Sequence, residues 1–256
     1  MPRTPANRPY HWLAQYYERL FSVSRAPLDL QREHVLGPIL PQVTSACDLA
    51  CGPATTALDF ARRGIQTFAV DLSPQMCRAA RENARRARLP VRVFRGDMRS
   101  FRLPRPVDLV TCEGDALNHV PHKDDLPNVA RAVAHALRPG GWFYFDVNNR
   151  AGFRAYWTGT VWLERPGVVA VMRNGNVASS DHAWSDVEWF IRDGRVWRRR
   201  RERVDEVCWS VAEIRRALRD AGFDRVRRWD AAPFFKSSLP FPPGCRSVYL
   251  ARKSRP

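Results

Sequence analysis

Between residues 45 and 148, short apolar runs alternate with helix-patterned segments, and several of the runs end on an acidic residue. "SACDLA" (45–50) reads as a strand, and residues 54–63 read as a helix closed by Gly64 at its C-cap. "QTFAV" (66–70) is a second strand ending in Asp71. Ser73 and Pro74 then open a helix that runs to about Arg88. "VRVFRG" (91–96), "VDLVTCE" (107–113) and "WFYFDVN" (142–148) are further strands. A helix over 123–137, ended by "RPGG", precedes the last of them. Strands joined by helices predict a parallel sheet covered on both faces, hence an α/β fold.

The pattern differs outside this stretch. Residues 9–24 space Trp12, Leu13, Tyr16, Tyr17, Leu20 and Phe21 as a helix does, and 28–40 reads as a second helix stopped near Pro41. After residue 150, "RNGN" (173–176) and "RDGR" (192–195) predict hairpin turns, because Asn-Gly and Asp-Gly tolerate positive φ. The Val- and Trp-rich flanks make 160–206 an antiparallel meander. A capped helix follows at 210–221, then strands near 224–230 and 246–252. The chain thus divides into an N-terminal helical cap (1–42) and a core domain (43–256), with 155–207 inserted in the core as a substrate lid.

The turn "DLACGPATTALDF" (48–60) joins the first strand to the first core helix, where phosphates and cofactors are held. A dinucleotide loop needs GxGxxG, and the aligned positions here are Ala50, Gly52 and Thr55. A pyrophosphate would fit poorly. Asp48 lies in the strand end. Asp71 ends the next strand, where a carboxylate can accept both ribose hydroxyls, and Asp97 after the third strand can face an adenine amino group. The set describes an adenosine site with an acidic rim and no phosphate partner.

The 256 residues suffice for one large domain, and 45% are hydrophobic, enough for a sizeable core. No run approaches the ~20 apolar residues of a membrane span, and "MPRTPANRPYHW" offers no secretory signal. A soluble, cytoplasmic protein is expected. The six cysteines form no CxxC pair and no His stands at ligand spacing from them, so reduced thiols and no metal are expected. The net charge is +16. It admits nucleic acid, an anionic surface or a phosphorylated substrate. The excess is nearly all Arg, which a GC-rich genome produces without any such partner.

As a set, these motifs resemble the class I S-adenosylmethionine (SAM) dependent methyltransferases. "DLACGPA" is similar to that family's glycine-rich first motif, with Gly52 kept and with Ala50 and Ala54 departing from it. "VDLSPQM" resembles the second motif, including Leu72 and a methionine, Met76, near adenine. "GDMRSF", with Asp97 and Met98, resembles the third. "DLVTCEGDALNHV" and "LRPGGWFYFDVN" look like the fourth strand and the approach to the fifth. The resemblance spans about residues 10–252. It implies a Rossmann-like seven-stranded sheet whose last strand is antiparallel, with SAM held by Ala50 to Gly52, Asp71, Asp97 and Met98. It also implies a SAM contact by Glu113 through its backbone and a Tyr17 that closes over the cofactor. Relatives often show Tyr-Asp there, whereas this chain has Tyr-Glu.

Methyl transfer requires aligning the acceptor, excluding water and removing its proton. His119 follows the fourth strand and titrates near neutrality, so it is the candidate base. The resemblance to sugar amine N-methyltransferases, where a histidine at the matching position is a proposed base, points the same way. The alternative is a helix-capping histidine. Asp115 and Asn118 either bind substrate or set the turn. Cys51 and Cys112 read as packing residues. The run "RVWRRRRERVDE" (195–206) reads as an anion clamp, a nucleic-acid groove or a solvated strand whose acidic neighbours pair locally. A small-molecule amine or hydroxyl of a sugar or secondary metabolite is the expected acceptor. RNA or protein methylation and a non-catalytic SAM-binding role are the alternatives. The Asn/Asp-Pro-Pro-aromatic tetrad of enzymes that methylate base or amide nitrogens is replaced by "CEGD" (112–115). A homodimer is allowed.

Overall fold

The computed structural model describes residues 11–21, 26–120, 122–177, 179–235 and 242–255, with the side chains of Tyr17, Glu18 and Phe21 outside the description. Two helices, α1 (His11–Phe21) and α2 (Ala26–Leu36), precede the core. The core then runs β1 (Ser45–Leu49), α3 (Thr55–Arg62), β2 (Gln66–Asp71), α4 (Pro74–Ala87), β3 (Val91–Arg95), β4 (Val107–Cys112), α5 (Leu126–Ala136) and β5 (Leu137–Asn148). A short α6 (Arg150–Tyr156) leads into β6 (Thr160–Arg165), β7 (Val168–Asn176), β8 (His182–Asp193) and β9 (Val196–Val207). The chain closes with α7 (Val211–Asp220), β10 (Phe223–Asp230) and β11 (Arg246–Lys253).

Seven strands form one sheet in the order β10-β11-β5-β4-β1-β2-β3. β3, β2, β1, β4 and β5 are parallel, and β11 runs antiparallel between β5 and β10. The chain moves one way from β1 to β3 and then returns to the other side of β1 with β4. Ligands of α/β sheets bind at that switch point, beyond the carboxyl ends of the strands. The period-two alternation of strands divides the core in two. Cys47, Val110, Phe143 and Tyr249 face α5 and α7, whereas Ala46, Leu109, Tyr144 and Val248 face α2 and Phe60.

The expected local signals stand where residue chemistry demands them. Ser73 caps α4 by accepting from the Met76 amide (3.3 Å), and Gly64 takes φ +77° just past α3. Ser210 and Glu213 form a reciprocal capping box on α7. β6 to β9 form a separate antiparallel sheet, the expected meander, and Gly194 makes the 192–195 turn with φ +60°.

The "RNGN" turn is a correction. Asn174 and Gly175 lie inside β7, paired with Ser185 and Trp184, and the hairpin turns instead between Asn176 and His182. The reason is side-chain packing. A Cβ on Gly175 would collide with the Trp184 ring, so the glycine there makes room for an indole across the strand pair. Asn174 accepts from the Ser185 hydroxyl (2.7 Å), and the Asn176 amide donates to the carbonyls of Phe153 and Trp157. All three residues are used by the sheet, and none is left to make the turn.

Candidate active site

The turn after β1 holds three left-handed residues in five: Ala50 (φ +54°), Gly52 (φ +52°) and Ala54 (φ +66°). Glycine enters that region freely, whereas an alanine there is strained by about 1–2 kcal/mol. The two alanines therefore depart from the glycine pattern in backbone energy as well as in size. The turn is fixed from both sides. Cys51 N–H donates to Val70 O (3.0 Å) and Gly52 N–H to Asp71 Oδ2 (2.9 Å). Asp48 is buried beneath it, accepting from the Ala57 amide (3.1 Å) and the Thr111 hydroxyl (3.2 Å). Asp48 braces the loop and does not line the cavity above.

That cavity has a volume of about 500 Å³ and lies at the carboxyl ends of β1, β2 and β4. Its lining brings together Ala50, Cys51, Gly52, Asp71, Leu72, Met76, Asp97, Met98, Glu113 and His119 of the residues expected from sequence. The Asp71 carboxylate also accepts from Ser73 N–H (2.8 Å). Burial pushes its pKa up, and the two amide bonds pull it back. Asp97 is gripped by the Arg99 guanidinium (2.7 Å), which holds it below the ordinary carboxylate range and also reaches Asp125 (3.0 Å). A ligand amino group would share Asp97 with Arg99. Tyr17 lies in α1, and its side chain is outside the described residues.

Two polar assemblies flank the cavity, and their distant members carried no sequence signal. On one side Arg32 of α2, 3% exposed, bonds Glu113 (2.9 Å) and Asp29 (2.7 Å), while Thr56 donates to Glu113 (2.7 Å). On the other side stands His119, 25% exposed, whose Nδ1 is 3.9 Å from Glu206 Oε1 of β9. Burial lowers the His119 pKa, so the imidazole is neutral at neutral pH. Asp146, fully buried, accepts from the amide of Gly114 (2.9 Å) and from the Arg246 guanidinium, which also faces Asp115 (3.8 Å). Burial pushes both the Asp146 and Glu206 carboxyls up. Asp115 accepts from the Asn148 amide, and Asn118 bridges Asn148 O (3.1 Å) to Val207 O (2.8 Å). Asp115 and Asn118 stand behind His119 and outside the cavity lining. The sequence could not pair Arg246 with Asp146 or Glu206 with His119, because those pairs form only when β11 and β9 reach the end of β5.

The basic strand is largely consumed locally. Arg199 and Arg201 pair with Glu188, Arg203 pairs with Asp186 and Asp205, and Arg198 pairs with Asp193. All six cysteines are free and buried, and burial raises the thiols of Cys51 and Cys112 far from reactive values. Among the described residues no His, Cys, Asp and Glu group could hold a metal ion, and no helix is long and apolar enough to cross a membrane.

Residues 46–141, which supply this turn and the cavity floor, match the methyltransferase domain family. The whole chain aligns with a solved SAM-dependent methyltransferase from Clostridium acetobutylicum at 23% identity and a TM-score of 0.78, over 96% of this chain and 99% of that one. Residues 46–141 form a methyltransferase domain, and the chain around them has the fold of SAM-dependent methyltransferases. The sugar N-methyltransferase KedS8 from a Streptoalloteichus species shares the methyltransferase fold, with 20% identity, a TM-score of 0.75, and 100% and 96% of the two chains covered. The Bacillus subtilis (strain 168) protein named "Putative methyltransferase YqeM" is 24% identical over 96% of this chain and 98% of its own. The residues fit a methyltransferase cofactor. A Cβ on Gly52 would lie 3.9 Å from the Met76 sulfur, so the left-handed turn brings bare backbone to the cavity beside that side chain, and Asp71 lines the same cavity.

Proposed function

We propose that this methyltransferase transfers a methyl group to an amine of a small molecule, with His119 as the base. The observation that carries the reading is the imidazole of His119 on the cavity wall, with an acidic cluster behind it. Glu206 stands 3.9 Å from His119 Nδ1 and bonds Asn148, and Asp115 and Asp146 lie in the same cluster. An amine, which brings hydrogen-bond donors and positive charge, suits such surroundings better than a hydroxyl does. The likeness to a sugar N-methyltransferase supports the same class.

In this reading Asp71 holds the ribose of SAM, Asp97 and Met98 flank the adenine, and the Ala50–Gly52 backbone faces the methionine portion. The bound cofactor supplies a methyl already activated on a sulfonium. This chain supplies alignment, exclusion of water and a proton acceptor. The neutral imidazole of His119 takes the acceptor's proton, so that a nitrogen lone pair is available to the methyl. Tyr17 and the sheet β6–β9 act as the lid.

The test is methyl transfer to glucosamine-type amino sugars against the same sugars bearing a hydroxyl in place of the amine. His119→Asn should lower kcat about 100-fold or more while leaving S-adenosylhomocysteine affinity unchanged. Because the His119 pKa is lowered, the wild-type rate should rise with pH and level off below the ordinary histidine range. Full activity in the variant, or transfer to the hydroxyl sugars alone, would overturn the assignment.

A further inference from the structure

Glu202 of β9 is 2% exposed, yet it touches no part of the cofactor cavity. Its Oε2 accepts from the backbone amide of Leu13 (3.0 Å), and the amides of His11 and Trp12 bond the same carboxylate. These are the first residues of α1, whose N–H groups have no partners within the helix. A carboxylate suits them, since it meets both the unpaired donors and the positive end of the helix dipole. The bond joins residues 189 positions apart in sequence.

α1 stands between the two parts of the molecule. His11 and Leu13 line the cavity, and His11 Nδ1 is 2.8 Å from the Gln75 amide of α4. The same helix packs on the second sheet. Tyr16 lies 5.9 Å from the Trp189 ring, Arg200 covers Trp12 at 5.6 Å, and Arg19 donates to Pro166 O. No residue of β6 to β9 lines the cavity. The second sheet therefore reaches the cofactor wall formed by His11 and Leu13 through α1.

We propose that Glu202 is a positioning residue for cofactor binding: it clamps the start of α1 to the second sheet, so that the wall of the cofactor cavity and the sheet over the acceptor side move as one body. Cofactor binding then stiffens β9, and anything that settles the second sheet strengthens cofactor binding. The two effects are equal in free energy, as linkage requires. The proposal rests on this cavity being the SAM site, and the experiment separates the two.

Hydrogen exchange is measured on the full chain with and without saturating S-adenosylhomocysteine, and its affinity is measured calorimetrically for wild type, Glu202→Leu and Glu202→Gln. Slower exchange at residues 50–54 and 71–76 reports that the ligand occupies the cavity. Slower exchange in α1 and around residue 202 of β9 together is the expected sign of the clamp. Glu202→Leu should weaken binding about tenfold, the scale of one charge-assisted hydrogen bond. It should also speed exchange in residues 11–21 while β1, β2 and β4 keep their protection. Glu202→Gln, whose carbonyl oxygen can accept the same amides, should restore affinity to within about threefold. Four outcomes would overturn the clamp: occupancy of the cavity with no slowing in β9, a Leu variant within twofold of wild type, a Gln variant as weak as Leu, or unchanged α1 exchange in the Leu variant. The wild-type exchange result decides the matter by itself if the Leu variant does not fold. Absence of slowing at 50–54 and 71–76 would instead displace the cavity assignment.

Discussion

The carboxylates at the cofactor turn and those around His119 are held in opposite ways. Asp71 and Asp48 accept from backbone amides within nineteen residues along the chain, at Gly52, Ser73 and Ala57. Asp146, Glu206 and Glu202 meet groups brought from far away, at Arg246, His119 and the start of α1. The first arrangement needs only a strand, a turn and a helix in the right order. The second needs the whole sheet closed by β11 and the second sheet folded back over it. A local site tolerates distant change, whereas the distant one depends on every element that feeds it.

This contrast is sharpest for Arg246. Its guanidinium is nearly fully buried and meets Asp146 and Asp115. Arg246→Met leaves those carboxylates without their cation, and breaking a buried pair costs about 3–5 kcal/mol. Urea unfolding should show a loss of that size, and a loss under about 1 kcal/mol would mean the cluster is solvated and the contrast is false. Asp71→Ala should act the other way round. It removes a ligand contact and the Gly52 and Ser73 bonds together, so S-adenosylhomocysteine affinity should fall about 100-fold, or about 2.7 kcal/mol. Wild-type affinity in that variant, by calorimetry, would remove the site from β2. The smallest effect separates the two alanines of the turn. Ala50→Gly relieves a left-handed alanine beside the cavity and should stabilise by about 0.5–1 kcal/mol after the entropy cost of glycine. Ala54 is equally left-handed but fully buried against Cys51, Ala57, Ala69 and Ala80. Losing its methyl forfeits about 0.8 kcal/mol of burial, so Ala54→Gly should be near neutral. Equal shifts in the two variants' urea midpoints would show that backbone strain is not what distinguishes them.

The sequence alone settled the strand–helix alternation, the caps at Ser73 and Ser210, and the turn with its acidic neighbour Asp71. Each of these is a local property: a hydrophobic period, a capping oxygen, a residue type tolerant of positive φ. The resemblance of the motif set extended this to the methyltransferase fold and SAM. The sequence misplaced the hairpin at Asn174–Gly175, because a local turn preference yielded to the Trp184 ring packed across the strand. It offered Asp48 as part of the cofactor site and Asn118 as a substrate contact or a turn residue, and both brace the elements around the cavity. The tertiary structure alone decided that Arg32 reaches Glu113, that Arg246 meets Asp146, and that two glutamates of one basic strand turn inward to α1 and to His119. Contacts between residues eighty or more positions apart leave no periodic trace in a single chain, since their partners are chosen by how sheets and helices pack.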